Sequence, residues 1–470
     1  MVLRQHGPMR ARRIIAAALA AATLALCPPA PASLARAPVQ VAQNYRITAT
    51  LDVAAGRLDA ELELELTNRS PSAMTHVNLS VVPRALGFLT MEDPVRVDGD
   101  AADPEWTTRI NLRVPLGRLE PRMTAVIVVP FRLDVGLAPD AFRARTSRDN
   151  GVLSFGHWFP TVSTEHDVHG IGDPQVSFTA DSIRLELTST TALPRDAVAC
   201  PGLVSAPATS GTSWMCEVER VRDFSLVVNP RFTMTRRTVD DHEIRVYTQT
   251  VAGARTADLA VDGLIGLEEA FGAYPWPDLV LAEVGSGGGF SMEYPRMIHL
   301  TRDKVADPYV VYHEVAHQWF YAQVGNDQQT EPWLDEALAD FSARYLMGIG
   351  ENACSTRPVD SAVFAWEAGP TTGGDWTSCD GYFHAVFYQG SEFLTAVRGA
   401  MGDDAFFDAM RDWVASNRHG FATGRQLLSH LQRSTSAALR PIYRRFLTDA
   451  GFGPTRAAAP GGGPLTPRLK

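Results

Sequence analysis

The sequence predicts an α+β protein of more than one domain, with an all-β sandwich in the N-terminal half and a mainly helical domain after it. The chain has 470 residues, enough for roughly two to four domains of ordinary size. In the first part of the chain, apolar and polar residues alternate, which is typical of half-buried strands. After residue 307 the pattern is mainly helical. These three observations determine the predicted fold class.

The predicted sandwich covers residues 45–235. The alternation is cleanest at 45–53 and 58–66, where every second residue is apolar or small, and three glutamates at 61, 63 and 65 occupy the opposite face. Pro and Gly separate the strand segments, as is typical of a sandwich. Further strands are predicted at 108–114, 124–133, 182–188 and 222–228.

The second domain is predicted over residues 236–454. Leu259, Leu264, Leu267 and Phe271 follow the spacing of one helix face. A short strand at 279–284 and a Gly-rich turn at 285–289 come next. Residues 349–378 are expected to form an irregular excursion. The Ala-, Pro- and Gly-rich residues 455–470 are expected to be a disordered tail.

Residues 1–37 are predicted to be a signal peptide for secretion, to the periplasm or beyond the cell. Four arginines precede a 13-residue apolar run, Ile14 to Leu26, which is too short to cross a bilayer comfortably. An uncleaved membrane anchor is the alternative. The net charge of −10 argues against a nucleic-acid partner, because phosphate binding needs clustered Lys and Arg.

Export implies oxidising conditions, which bears on the cysteines. Cys200 with Cys216, and Cys354 with Cys379, are expected to form two disulfides that each close a short loop. Four free buried thiols are the alternative. The oligomeric state is left open by the sequence.

The segment with the most chemical information contains His-Glu-x-x-His at residues 313–317. Asp307 followed by Pro308 is a good helix start. Four residues are about 1.1 helical turns, so His313 and His317 should share one face and hold one zinc ion. Glu314 would lie beside the metal without binding it. It is therefore the candidate general base for a zinc-activated water.

Glu336, eighteen residues after His317, is the candidate third metal ligand. Pro332 is expected to begin the helix that carries it. Two histidines and one glutamate leave a fourth position for water, as in catalytic zinc sites. Asp340, one turn further on, is either a residue that orients a histidine or an ordinary helix acid.

Three other histidines lie close together in the sequence. They are expected to be ordinary core or surface histidines rather than a second metal site, because no ligand spacing stands out. They are His157, His166 and His169.

In these motifs the sequence resembles the M1 (gluzincin) zinc aminopeptidases of the secreted bacterial type. His-Glu-x-x-His, eighteen residues, then Glu is the zinc signature of that family, and the residues at 333–337 match it too. Upstream, the segment at 287–295 is similar to the family's Gly-x-Met-Glu-Asn motif, with Tyr294 in place of Asn. The resemblance implies that Glu293 binds the free α-amine of the substrate and that Gly289 contributes to substrate binding.

The resemblance extends over residues 45–450. It implies a β-sandwich packed on a thermolysin-like catalytic domain, without the large C-terminal helical domain of many members. One position departs from the family, in which a tyrosine stabilises the oxyanion. Phe387 occupies that place here, so Tyr388, the next residue, is the candidate, with Tyr382 nearby.

These residues together predict a secreted aminopeptidase that uses one zinc ion per chain and removes N-terminal residues from peptides. A zinc endopeptidase is one alternative, since it would share the metal site without an amine anchor. A peptide-binding relative with impaired catalysis is the other, and Phe387 is its main support. The preferred substrate side chain is not predicted, because its pocket is built from scattered residues.

Overall fold

A computed structural model of the chain describes residues 40–91, 93–137, 145–163, 178–285, 291–328, 331–350 and 383–446. All of these belong to one compact unit. None of the helices in these ranges combines the length and the apolarity that crossing a bilayer requires. Several predictions lie outside the described residues, namely the signal peptide, the tail, the Cys354–Cys379 pair, Gly289, His166, His169 and Tyr382.

The strands are most frequent in the N-terminal half. In chain order they are β1 Val41–Asp52, β2 Arg57–Asn68, β3 Met74–Ser80, β4 Leu89–Thr90, β5 Arg96–Val97, β6 Asp100–Ala101, β7 Glu105–Trp106, β8 Asn111–Leu119, β9 Thr124–Asp134, β10 Thr146–Asp149, β11 Val152–Phe155, β12 Thr161–Val162, β13 Ala180–Pro194, β14 Val198–Ala199, β15 Leu203–Ser205, β16 Ser210–Val221, β17 Leu226–Val228, β18 Thr233–Val239, β19 His242–Thr248, β20 Asp278–Val284 and β21 Met297–Thr301.

The helices are concentrated in the C-terminal half, as predicted. In chain order they are α1 Val82–Leu86, α2 Gly253–Phe271, α3 Pro308–Ala316, α4 Trp333–Met347, α5 Gln389–Met401, α6 Asp403–Asn417, α7 Gly424–Arg433 and α8 Arg440–Phe446. A short 3₁₀ turn covers Arg195–Ala197, and a π-helical turn, Phe383–Tyr388, leads directly into α5.

A nine-stranded sheet forms the largest layer of the N-terminal half. Its order is β15-β16-β13-β1-β2-β9-β5-β6, and β4 also pairs with β9. Two four-stranded sheets accompany it, with the orders β10-β11-β17-β14 and β12-β3-β8-β7. The predicted strands at 45–53, 58–66, 124–133 and 182–188 correspond to β1, β2, β9 and β13. The all-β character of this half is therefore confirmed.

The alternation along β2 divides that strand between core and solvent. Leu58, Leu62, Leu64 and Leu66 are fully buried, and each such side chain contributes about 1.5–3 kcal/mol when it leaves water. The glutamates between them lie on the opposite face, and two of them, Glu61 and Glu63, form ion pairs with arginines of other strands. One of these pairs joins Glu63 to Arg46 at 3.1 Å. The period of two thus determines which face of the sheet packs inward.

Two strands begin later in the sequence than predicted. The strand predicted at 108–114 starts only at Asn111 in β8, because the Thr108 hydroxyl accepts the N–H groups of Ile110 and Asn111 and forms a turn. The strand predicted at 222–228 is limited to β17. Just before it, the Asp223 carboxylate accepts the N–H of Phe224. In both places a short polar side chain competes with the strand ladder for the backbone.

Cys200 and Cys216 form a disulfide, as predicted. The bond joins the segment after β14 to β16, and both residues are fully buried. The two cysteines are 16 positions apart. Closing a loop of that length lowers the entropy of the unfolded chain and stabilises the folded state by about 3 kcal/mol.

A mixed sheet begins the C-terminal half. Its order is β18-β19-β20-β21, with β19, β20 and β21 parallel to one another. Helix α2 packs on β18 and β19 of this sheet. The four apolar residues that predicted the helix, at 259, 264, 267 and 271, are all buried. The predicted strand at 279–284 is β20. The domain boundary at 235/236 stays a prediction.

A glycine at the start of α5 makes a testable contact with α4. A Cβ on Gly390 would overlap the Cβ of Ala337 on α4, and both backbones are helical. We expect Gly390→Ala to lower the free energy of unfolding by about 1–3 kcal/mol, the usual cost of overpacking.

The matched control for this substitution lies on the same helix. A Cβ on Gly399 has no atom within 4 Å, so Gly399→Ala should raise the free energy of unfolding by about 0.4–1 kcal/mol. Urea unfolding of the two variants measures both values. Equal effects would contradict a close approach of α4 and α5 at Gly390.

Candidate metal centre

Helix α3 brings the two predicted histidine ligands onto one face. Its N-cap is Asp307, as predicted, and the carboxylate accepts the N–H of Tyr309 at 3.1 Å. The helix ends at Ala316, so His317 is its C-cap, but the His317 N–H still donates to the carbonyl of His313 at 3.3 Å. The Nε2 atoms of the two histidines lie 3.1 Å apart.

Glu336, in the first turn of α4, completes a triangle of donor atoms. Pro332 is the N-cap of that helix. The Oε2 atom of Glu336 lies 3.2 Å from Nε2 of His313 and 3.4 Å from Nε2 of His317. In a tetrahedral site with bonds of about 2.0–2.2 Å, ligand atoms are roughly 3.3–3.5 Å apart. The three buried donors therefore fit a zinc ion.

Neighbouring groups fix the orientation of both imidazoles. Nδ1 of His317 lies 3.1 Å from the carbonyl of Phe320. Because a carbonyl only accepts, this nitrogen carries the proton and the Nε2 lone pair faces the triangle. The His313 ring stacks on Phe387, with ring centroids 5.5 Å apart and planes 7° apart. Tyr309 stacks on the same imidazole at 6.1 Å.

The charges around the triangle favour a cation. Burial opposes ionisation of Glu336, but hydrogen bonds and charges from the two histidines outweigh it and lower its pKa to about 2. Burial would lower the pKa of His317, yet Glu293 above all, with Glu336 and Glu314, raises it well above the ordinary value. Burial and then the charge of Glu336 raise the pKa of Asp335. Several buried carboxyl groups thus lie close together with few positive charges near them, and an added cation would stabilise their ionised forms.

The structure brings the candidate base and the candidate amine anchor to the same place. A carboxylate oxygen of Glu293, a carboxylate oxygen of Glu314 and a ring nitrogen of His317 all lie within 4.8 Å of one another. Both glutamates are buried. Neither carboxylate belongs to the donor triangle, and both lie beside it.

Two glutamines that the sequence analysis missed hold the segment around Glu293. Gln318 accepts the N–H of Arg296 at 2.8 Å and donates to the carbonyl of Tyr294 at 3.2 Å. The amide nitrogen of Gln328 donates to the carboxylate of Glu293 at 3.3 Å. The only available signal was that Gln318 directly follows a ligand histidine, and Gln328 carries no local signal.

Asp340 reaches the metal centre through another side chain. It is fully buried on α4, and the hydroxyl of Tyr309 donates a hydrogen bond to it. The ring of Tyr309 in turn stacks on His313. Asp340 is therefore not a solvent-facing helix acid, and it supports the imidazole by way of Tyr309.

Phe387 and Tyr388 occupy different environments. Phe387 contacts the ligand histidine His313. Tyr388 is half-buried. Burial and the charge of Asp340 raise the pKa of its hydroxyl, and the charge of Arg344 only partly opposes them. The catalytic role of Tyr388 stays a prediction.

His157 lies in neither cluster that could hold an ion. Among the described residues, the two groups of metal-capable side chains are the donor triangle and the group of Glu293, Glu314 and His317. Nε2 of His157 instead lies 3.3 Å from the carboxylate of Asp223 in the sandwich, and its ring contacts Tyr294.

Comparisons with known proteins agree with this geometry. Residues 294–446 match the family profile described as Peptidase family M1 domain. Aminopeptidase N of Lactobacillus helveticus is 27% identical over 157 residues, which cover 30% of this chain and 18% of that protein. Aminopeptidase N of Lactobacillus delbrueckii subsp. lactis is 26% identical over 156 residues, with the same coverage. The matched part is thus under a fifth of the length of these relatives.

Solved structures match over most of the chain. The M1 zinc metallopeptidase of Deinococcus radiodurans superposes with a TM-score of 0.62 at 17% identity, covering 90% of this chain and 96% of that one. A mutant of an M1 zinc metallopeptidase from the same organism, bound to a Tyr-Ser-Ala substrate, gives 0.61 at 16% identity, covering 87% and 94%. A further match is described as a two-domain M1 zinc metallopeptidase. The chain contains a peptidase family M1 domain and has the fold of two-domain M1 zinc metallopeptidases.

Proposed function

We propose that the protein is a zinc-dependent aminopeptidase that releases N-terminal residues from peptides. The observation that carries the proposal is the position of Glu293, whose carboxylate lies within 4.8 Å of donor atoms of His317 and Glu314. A buried carboxylate at that distance from a metal ligand would pair with the α-ammonium of a peptide. The first peptide bond would then lie beside the base.

Each residue of the site has a separate role in this proposal. His313, His317 and Glu336 hold one zinc ion per chain. When bound there, zinc supplies Lewis acidity, which polarises the substrate carbonyl and acidifies water. The Glu314 carboxylate takes the proton of the attacking water and passes it to the leaving nitrogen. Glu293 fixes the amine, so that the chain is cut after its first residue.

The closest alternative is an endopeptidase with the same metal site. An endopeptidase binds the middle of a chain and gains nothing from a buried anion that has no partner on the substrate. Glu293 is 3% exposed and receives a hydrogen bond from Gln328. The cost of burying this carboxylate beside the site favours the aminopeptidase.

We also propose that the protein acts outside the cytoplasm, in the periplasm or beyond the cell. The Cys200–Cys216 disulfide supports this location, since such bonds persist mainly in oxidising compartments.

Blocking the substrate amine tests the proposed activity. We expect kcat/KM for an N-acetylated peptide to be at least roughly 10–100-fold below that of the free peptide, because a hydrogen bond to a charged group contributes about 1.5–3 kcal/mol. Glu293→Gln should lose the discrimination, and Glu314→Gln should abolish turnover of both peptides. Cleavage of the acetylated peptide at the wild-type rate would establish the endopeptidase instead.

Metal analysis tests the donor triangle. Purified protein should contain one zinc ion per chain, and Glu336→Ala should lower zinc affinity by more than the 10–100-fold that loss of an outer-sphere partner typically costs. Asp335→Asn is the matched control, because it changes the neighbouring buried carboxyl and leaves the three donors in place. Equal zinc loss in both variants would argue against Glu336 as a ligand.

Phe387 stacks on the predicted metal ligand His313, so a hydroxyl added to its ring would lie near the metal centre. We expect Phe387→Tyr to raise kcat by about 10²–10³, the usual value of one oxyanion donor. The matched variant Tyr388→Phe removes the adjacent hydroxyl, which faces the charges of Asp340 and Arg344. A fall of that size in Tyr388→Phe, with no gain in Phe387→Tyr, would assign the donor to Tyr388.

A further inference from the structure

We propose that Tyr294 is a positioning residue, which uses a cleft in the β-sandwich at Gly156 to hold Glu293 at the amine site. This inference rests on the proposed aminopeptidase function. Tyr294 follows Glu293 directly and is fully buried. Its ring contacts two imidazoles, with centroids 5.1 Å from His157 and 4.7 Å from His299. The side chain is thus enclosed by residues of both halves of the protein.

Gly156 is what makes room for the tyrosine. A Cβ on Gly156 would overlap the hydroxyl and Cζ of Tyr294 and would lie 2.8 Å from its Cε2. The backbone of Gly156 has little freedom to retreat, since its N–H donates to the carbonyl of Arg145 at 2.8 Å. Its own carbonyl accepts the hydroxyl of Thr146 at 2.7 Å. The cleft is therefore a rigid recess that only the absence of a side chain keeps open.

The recess is tied to the rest of the sandwich. Next to Gly156, Nε2 of His157 lies 3.3 Å from the carboxylate of Asp223. The indole N–H of Trp158 donates to the carbonyl of Phe224 at 3.0 Å. The N–H of Phe224 in turn donates to Asp223 at 2.7 Å. These buried contacts fix the recess against the segment before β17.

The backbone beside Tyr294 is fixed from the opposite side by the metal-binding half. The carbonyl of Tyr294 accepts the N–H of Met297 at 2.9 Å and the amide of Gln318 at 3.2 Å. Gln318 directly follows the ligand His317. Glu293 therefore precedes a residue whose side chain packs against the sandwich and whose backbone carbonyl is held by Gln318, just after α3. A shift of about 1 Å in such a group is enough to cost 10²-fold in rate.

The test is a double-mutant cycle on the zinc-loaded full chain. Gly156→Ala adds the overlapping methyl group, and Tyr294→Asn substitutes the residue found in the resembled family motif. We expect each to raise KM for a free-amine peptide about tenfold or more, while zinc content stays at the wild-type level. The double variant should be no worse than Tyr294→Asn alone, because the shorter side chain leaves room for the methyl group.

Three further measurements separate positioning from simple stability. Tyr294→Phe keeps the ring in the recess and should stay near the wild-type KM, and Gly399→Ala, whose Cβ has no atom within 4 Å, should leave KM unchanged. On a Glu314→Gln background, calorimetry should show that Gly156→Ala weakens binding of a free-amine dipeptide but leaves that of its N-acetylated form unchanged.

The outcomes that overturn the inference are distinct from failure of the proposed function. An unchanged KM in Tyr294→Asn and Gly156→Ala, even with a lowered Tm, would overturn it. So would effects that multiply in the double variant. The proposed function is decided separately by the wild-type comparison of free and acetylated peptides, which involves no variant at all.

Discussion

The structure depends on three buried donor atoms whose spacing matches that of ligands around a single cation. Two imidazole nitrogens and a carboxylate oxygen lie 3.1–3.4 Å apart in a buried pocket. Lone pairs that face one another in a medium of low dielectric repel, and so do the carboxylates of Glu293 and Glu314 nearby. A divalent ion at the centre converts this repulsion into attraction, so metal binding should contribute directly to folding stability.

The surrounding helices satisfy that constraint by close packing. His313 on α3 and His317 at its C-cap supply two donors, and α4 supplies the third. Gly390 lets α5 lie close against α4 at Ala337. The π-helical turn before α5 then places Phe387 flat against His313. The imidazoles are thus fixed by aromatic stacking and by one backbone carbonyl, that of Phe320. An open fourth side is what distinguishes such a site from a structural one.

The sequence predicts those features that depend on the spacing of residues within a single helix or strand. The alternation in β1 and β2, the helical spacing in α2 and the two-histidine motif on α3 each depend on residues within one element. Gln328 and Gly156 could not be found in this way, because their partners, Glu293 and Tyr294, are 35 and 138 positions away along the chain. The late starts of β8 and β17 were missed for another reason, since a threonine and an aspartate accept backbone N–H groups that alternation assigns to the strand ladder.

The distribution of roles between the two halves follows from these contacts. His313 and Glu314 lie on α3, His317 is its C-cap and Glu336 lies on α4, so all residues of the predicted metal centre come from the C-terminal half. The segment with Glu293 is different, because the side chain beside it is buried against the sandwich at Gly156 and His157. In the proposed function, orientation of a substrate amine would therefore require both halves, whereas polarisation of its carbonyl would require only one. On that proposal the sandwich would take part in substrate selection, although it supplies no donor atom to the triangle of His313, His317 and Glu336.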